Sequence, residues 1–181
     1  MKYIVYDLEA TCWMGRPPKG HNEVIEIGAV KINKRGEVLD SFSKFIKPTV
    51  NPRLSGFCKK LTSIKQDDVN NAQTFPIVIQ EFKEWVDING DYSLCSWGAY
   101  DKTFFSNDCN LHKLDAGWLE KAVNIKGLYA NMIGDEKGNG LKNTLKREGF
   151  EFTGIPHRAI SDAQNTAKIF IKYFNEWIKY L

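Results

Sequence analysis

Two acidic residues interrupt the apolar segment that opens the chain, residues 2–9 with the sequence KYIVYDLE. Successive side chains of a β-strand point to opposite faces, so Asp7 and Glu9 are expected to lie side by side on one face. Crowded carboxylates repel each other, and this repulsion raises a pKa unless a cation neutralises the pair. The pattern therefore predicts that Asp7 and Glu9 form half of a divalent metal site.

Length and composition favour one folded unit. The chain has 181 residues, of which 43% are hydrophobic and 13% aromatic, so it can bury a sizeable core. We expect a single domain over residues 1–181. No apolar run approaches the roughly 20 residues that cross a bilayer, and the first strand lacks the features of a signal peptide. We therefore expect a cytoplasmic protein without a membrane partner.

The order of predicted elements indicates an α/β fold. Three strands come first, and the later strands alternate with helices, which is typical of a mixed sheet covered by helices. We expect five strands, with the first three paired antiparallel in sequence. The strands are predicted at 2–8, 23–32, 37–46, 92–97 and 123–125, and the helices at 54–61, 67–72, 75–86, 101–111, 128–133, 141–148 and 159–181.

Two further acidic residues stand where such a fold builds its sites. Asp101 follows the predicted strand 92–97, and Asp162 lies near the start of the last helix, five residues after His157. Taken alone, either aspartate could simply cap a helix or interact with its dipole. Together with Asp7 and Glu9, however, the two form an ordered acidic set accompanied by a histidine.

This order, Asp-x-Glu, then Asp, then His-x4-Asp, resembles the DEDDh family of 3′-to-5′ exonucleases over nearly the whole chain. The three motifs read YDLEAT at 6–11, WGAYDKTFF at 97–105 and HRAISD at 157–162. Within the family, the chain is similar to the branch of enhanced-RNAi, 3′ histone-mRNA and KapD-like exonucleases. The stretches that carry this similarity are EATC at 9–12, VIE at 24–26, KP at 47–48, NP at 51–52, LS at 54–55, FC at 57–58 and LTSI at 61–64.

The resemblance implies a ribonuclease-H-like fold and a two-metal mechanism. Asp7, Glu9, Asp101 and Asp162 would hold two Mg²⁺ or Mn²⁺ ions, which prefer oxygen ligands. His157 would act as the general base that takes the proton of the attacking water. The expected products are nucleoside 5′-monophosphates.

The resemblance also implies contacts with the terminal nucleotide. Ala10 is small enough for a close backbone approach, and Thr11 offers a hydroxyl or an amide to the 3′ end. Trp97 either stacks on a base or fills the core. The loop at 14–21 is basic and could grip the substrate backbone, although an ordinary exposed loop explains it equally well.

Charge and resemblance together suggest a polyanionic partner. The net charge is +3, and it becomes more positive outside the predicted metal site. We expect single-stranded RNA or DNA 3′ ends as substrate, with RNA favoured, while the oligomeric state is not indicated. Two alternatives remain open: a catalytically weak nucleic-acid-binding protein of the same fold, and a phosphatase that acts on small nucleotides.

Overall fold

The computed structural model describes residues 1–135 and 139–181. Its sheet has the strand order β3-β2-β1-β4-β5, in which β1, β2 and β3 are antiparallel and β4 and β5 run parallel to β1. The predicted mixed sheet with three leading antiparallel strands is thus confirmed. The strands are β1 Lys2–Ala10, β2 Val24–Asn33, β3 Val38–Phe45, β4 Tyr92–Ser96 and β5 Ala122–Asn124.

Helices cover both faces of this sheet. The α-helices are α1 Gly56–Thr62, α2 Gln66–Asn70, α3 Phe75–Val86, α4 Tyr100–Leu111, α5 Ile125–Ile133, α6 Leu141–Arg147, α7 Ala159–Lys172 and α8 Phe174–Trp177. Short 3₁₀ helices span Gly117–Lys121 and Ile178–Tyr180. Among the helices of the described residues, none has the length and apolar character needed to cross a membrane.

The predicted final helix 159–181 is wrong in its length. The chain leaves the α-helical conformation at Tyr173, where φ is −109° and ψ is 22°. The Tyr173 hydroxyl donates a hydrogen bond of 2.5 Å to Glu148, while the following turn buries Phe174 and Trp177. Tertiary packing therefore ends a helix that the apolar periodicity alone would continue.

The alternation of β1 places the acidic pair on a defined face. Ile4, Tyr6 and Leu8 enter the core beneath α3 and α4, whereas Tyr3 and Val5 enter the opposite core beneath α7. Because side chains two positions apart share a face, Asp7 and Glu9 lie on the α7 side of the sheet.

Candidate active site

Asp101 is held directly against the strand that carries Asp7 and Glu9. The backbone N–H of Leu8, which separates the two acids, donates a hydrogen bond of 3.1 Å to Asp101 Oδ1. Asp101 lies in the first turn of α4 and is buried. The parallel pairing of β4 with β1 places the start of α4 beside the end of β1.

Asp162, the fourth acid, lies near the other three because Gly28 has no side chain. Gly28 is paired with Asp7 across β1 and β2. A Cβ atom at Gly28 would lie 2.1 Å from the carbonyl carbon of Ala159, so only glycine allows the first turn of α7 to approach the sheet this closely. This turn carries Asp162. We call Asp7, Glu9, Asp101 and Asp162 the acidic cluster.

Three of the predicted site residues form a compact set of possible metal ligands. Glu9, His157 and Asp162 each offer one ligand atom, and these atoms all lie within 4.8 Å of one another. Glu9 is buried, Asp162 half-buried and His157 exposed, so the set opens to solvent on the histidine side. The carboxylate oxygens of Glu9 and Asp162 are the ligands that Mg²⁺ and Mn²⁺ prefer, so these two residues fit the predicted metal.

Burial and mutual repulsion disfavour ionisation of the acidic cluster. Burial is the main cause, and it raises the pKa of Glu9 to about 8, that of Asp101 to about 7 and that of Asp162 to about 6. The pKa of Asp7 also lies well above its usual range, because burial is reinforced by the charges of Asp101, Asp162 and Glu9. A bound divalent cation would remove this repulsion.

These raised pKa values predict a pH-dependent stabilisation by metal. Between the ordinary carboxyl pKa of about 4 and the folded values, the folded cluster retains protons that the unfolded chain releases. Raising the pH over this range should therefore lower the free energy of unfolding of the metal-free protein, and the loss should continue at least to about pH 8, the pKa of Glu9.

Thermal melts with and without Mg²⁺ or Mn²⁺ check this expectation. The cation should raise the melting temperature more at about pH 8 than at about pH 5, because protons compete with metal at the lower pH. The variant Asp40→Asn, which changes an exposed carboxylate of β3, serves as the control and should keep this difference. Equal shifts at both pH values would contradict the prediction.

The loop that carries His157 is fastened to α7. Asn165 donates to the carbonyl oxygen of Thr153 at 2.7 Å and accepts from its N–H at 3.1 Å. Gly154, with φ of 85°, packs so closely on Ser161 that a Cβ atom would lie 2.5 Å from Oγ. His157 itself has a positive φ of 58°, an uncommon conformation for a non-glycine residue. The histidine is thus held near Asp162 although it is exposed.

Glu26 is a site-proximal residue to which the sequence motifs assigned no role. It is the β2 partner of Glu9, it is 1% exposed, and it binds Arg158 through contacts of 2.8 and 3.1 Å. Its Oε2 also accepts the N–H of Ala159 at 3.0 Å. We call the Glu26–Arg158 ion pair the clasp. An isolated acid within an apolar strand is the signal that could have revealed it.

Breaking the clasp should destabilise the protein and weaken the site. The variant Glu26→Gln leaves Arg158 without its ion partner, and we expect a loss of about 2 kcal/mol in unfolding free energy, because Glu26 is buried while Arg158 is partly exposed. The rate of the exonuclease reaction that the sequence predicts should fall on the order of tenfold, because the first turn of α7 loses its anchor. Urea unfolding and initial rates measure the two effects.

A double-mutant cycle separates the ion pair from general damage. Glu26→Gln combined with Arg158→Gln should cost less stability than the two single changes added together. Asp87→Asn, which breaks an exposed pair with Lys2, should leave rate and stability nearly unchanged. Additive losses in the cycle would show that the two side chains are not coupled.

The three residues predicted to contact the substrate differ in their burial and in their hydrogen bonds. Ala10 lies half-buried at the end of β1. Thr11 is fully buried, its hydroxyl accepts the N–H of Glu23 at 2.9 Å, and its own N–H donates to the Glu23 carbonyl. Trp97 packs on Tyr129, with 5.8 Å between ring centroids, and donates to the carbonyl of Asn139. The described geometry gives Thr11 and Trp97 structural roles, and their substrate contacts stay predictions.

The mixed sheet is a feature of ribonuclease-H-like nucleases, and so is the acidic cluster at the end of β1 and the starts of α4 and α7. A family model described as Exonuclease, of the RNase T type, matches residues 4–170 of this chain. The chain belongs to this exonuclease family.

Curated relatives agree with this assignment. The protein 3′-5′ exoribonuclease 1 of Homo sapiens is 33% identical over 181 residues, an alignment that covers 95% of this chain and 52% of that protein. ERI1 exoribonuclease 3 of Mus musculus is 30% identical, with 92% of this chain and 52% of that protein covered. The chain therefore spans about half the length of these curated relatives.

Solved structures show the same fold. The nuclease domain of 3′hExo, described as a DEDDh family member bound to rAMP, has a TM-score of 0.87 and 32% identity over 97% of this chain and 92% of that chain. Exonuclease I, with a TM-score of 0.78 and 12% identity, covers 96% of this chain and 41% of that chain and shows likeness of fold alone. The predicted ribonuclease-H-like fold and the resemblance to the histone-mRNA exonuclease branch are confirmed.

Proposed function

We propose that this chain is a metal-dependent 3′-to-5′ exonuclease that removes nucleotides from single-stranded RNA ends. The observation that carries the proposal is the convergence of Glu9, His157 and Asp162 within 4.8 Å in a chain of the exonuclease family. Asp7 and Asp101 adjoin this set, because Asp7 shares a strand face with Glu9 and Asp101 accepts the N–H of Leu8 between these two acids. Three distant parts of the chain thus contribute to one solvent-accessible site.

The acidic cluster would hold Mg²⁺ or Mn²⁺, and its four carboxylates suit two ions. When bound, such cations neutralise crowded carboxylates, lower the pKa of water and stabilise the charge that develops on a phosphate. Glu9 and Asp162, held against each other by β1 and α7, would bind a cation together. Asp7 and Asp101, which are linked through the Leu8 backbone, would complete the ligand set.

His157 is the proposed general base. It lies exposed at the open side of the site, where water and the last phosphodiester of an RNA chain would have access, and it is held there by a loop fastened to α7. The histidine would take the proton of the attacking water as the water oxygen bonds to phosphorus and the bond to the preceding 3′ oxygen breaks. The products are a nucleoside 5′-monophosphate and a chain one nucleotide shorter.

RNA is the favoured substrate because the relatives point to it. The human relative is named an exoribonuclease, and one related structure, with a TM-score of 0.87 and 30% identity, is described as a 3′-exonuclease that recognises the 3′ end of the histone mRNA stem-loop. Contact with the 2′-hydroxyl is what distinguishes RNA from DNA at such a site. Ala10, at the end of β1 beside Glu9, is the proposed point of close approach to the terminal sugar.

A 5′-labelled oligoribonucleotide tests this proposal directly. Purified protein with Mg²⁺ or Mn²⁺ should give a ladder that shortens from the 3′ end and releases nucleoside 5′-monophosphates, and EDTA should abolish it. A matched oligodeoxyribonucleotide should be degraded more slowly. Binding without cleavage under every metal condition would instead support a non-catalytic RNA-binding protein, and release of inorganic phosphate would indicate a phosphatase.

A further inference from the structure

Two cysteines lie close together next to the acidic cluster. Cys12 follows β1 three residues after Glu9, and Cys58 lies on α1. Both cysteines are reduced, and Cys12 packs against the hydrophobic cluster that contains Cys58. The sulfur of Cys58 also lies 3.8 Å from the carbonyl oxygen of Ala10. Cys58 is thus packed against the segment that connects Glu9 to Cys12.

A single serine fixes the two cysteine backbones close together. The hydroxyl of Ser55 donates to the carbonyl oxygen of Cys12 at 2.6 Å and accepts the N–H of Cys58 at 2.9 Å. Ser55 is also the N-cap of α1, so the helix start and the end of the first strand share this contact. A disulfide requires such close backbones, because its two Cβ atoms lie only about 4 Å apart.

The environment distinguishes this pair from the other two cysteines. Cys12 is half-buried and gives access from solvent, whereas Cys58 is fully buried. The hydrogen bond from Cys12 lowers the pKa of Cys58 to about 7, which favours a thiolate at this sulfur. Burial instead raises the pKa of Cys95 and Cys109, and these residues lie in two other hydrophobic clusters of the core.

We propose that Cys12 and Cys58 are a redox-active pair that hydrogen peroxide converts to an intramolecular disulfide, which lowers the activity of the adjoining site. In the first step, the Cys58 thiolate attacks peroxide, so an S–O bond forms, the O–O bond breaks, and the departing hydroxide takes the proton of Cys12. The Cys12 sulfur then attacks the sulfenic sulfur of Cys58, forming the S–S bond as the S–O bond breaks and a second hydroxide leaves. This hydroxide takes up the proton that Cys58 released when it ionised, so two thiols and one peroxide yield one disulfide and two waters.

The effect on activity rests on the proposed function and follows from the geometry of the bond. The S–S distance in a disulfide is about 2.05 Å, far shorter than the approach of two sulfur atoms that are not bonded. Closing this gap pulls on the segment between Glu9 and Cys12. A displacement of about 1 Å at a catalytic group costs up to about 100-fold in rate, so we expect a fall on the order of tenfold.

Peroxide treatment of the whole chain tests the pair. After brief exposure to hydrogen peroxide, the wild-type protein should lose two free thiols, and peptide mapping should find the Cys12 peptide joined to the Cys58 peptide. Dithiothreitol should restore the thiols and the exonuclease rate. Cys12→Ala and Cys58→Ala should each prevent the cross-link and the reversible loss of rate, whereas Cys95→Ala and Cys109→Ala should behave as the wild type.

Other results would overturn the inference. Four free thiols after treatment, or an oxidised Cys12 that never joins Cys58, would eliminate the disulfide. A cross-linked protein with an unchanged rate would eliminate the effect on the site. Thiol counting and peptide mapping do not depend on enzymatic activity. They therefore show whether the disulfide forms even if the protein fails to degrade RNA. The variant Cys12→Ala changes a half-buried residue, so it keeps the test valid if Cys58→Ala impairs folding.

Discussion

The variant Asp7→Asn is expected to reduce exonuclease activity to background while it stabilises the metal-free protein. Asp7 is the acid on which the charges of Asp101, Asp162 and Glu9 all act, and its pKa is raised well above the usual range. A neutral amide removes this repulsion, and we expect a gain of about 1 kcal/mol in unfolding free energy, as is common for substitutions at active sites. The same amide is a poor substitute for a carboxylate in binding Mg²⁺ or Mn²⁺.

Urea unfolding in EDTA and a 3′-end degradation assay measure the two effects on one preparation. Asp40→Asn is the matched control, because it makes the same change at an exposed residue that accepts a hydrogen bond of 2.7 Å from Trp85. The control should keep full activity and should gain no stability. Wild-type activity of the Asp7→Asn variant would show that Asp7 is not a ligand of the catalytic metal.

The variant His157→Asn is expected to lower the catalytic rate by about 10² to 10⁴, the usual contribution of a general base. Asparagine tolerates a positive φ better than most residues, so this change should preserve the loop at φ of 58°. His157→Ala should show a similar loss of rate. Single-turnover degradation of RNA at saturating Mg²⁺ or Mn²⁺ measures the effect on chemistry alone.

Metal titration separates two roles for this histidine. Replacing a general base leaves the metal affinity unchanged, whereas replacing a metal ligand lowers it. His157 lies close enough to Glu9 and Asp162 to have either role. We expect an unchanged metal affinity together with the low rate. A parallel loss of affinity would make His157 a ligand, and an unchanged rate would make it structural. His112→Ala, which removes a ring stacked on Phe75, is the control for loss of a histidine away from the site.

The local pattern of the chain was enough to predict most of the sheet and the candidate site residues. The alternation in residues 2–9 predicted which face carries Asp7 and Glu9, and the three ordered motifs predicted that Asp101, His157 and Asp162 belong with them. These predictions depend on neighbouring residues or on motif order, both of which are visible in a single sequence. The family assignment agrees with them, while the roles of the individual residues stay predictions.

Contacts between distant segments were not predictable in the same way. Glu26 and Arg158 are separated by 132 positions, and nothing near either residue shows that they meet. The sequence does not distinguish Gly28 from another small residue in a strand. Only the structure shows that the backbone of Ala159 leaves no room for a side chain there. The break at Tyr173 has the same origin, since its hydroxyl donates to Glu148, the residue that follows α6.

The sequence by itself determined the types of side chain available for chemistry, four carboxylates and a histidine, and the strand periodicity that puts two of these acids on one face. Only the tertiary structure decided that Glu9, His157 and Asp162 lie within 4.8 Å of one another. The physical reason is that periodicity fixes the direction of a side chain along its own element. The distance between elements depends instead on packing, here on the space that Gly28 leaves for α7 and on the partly buried ion pair that holds it there.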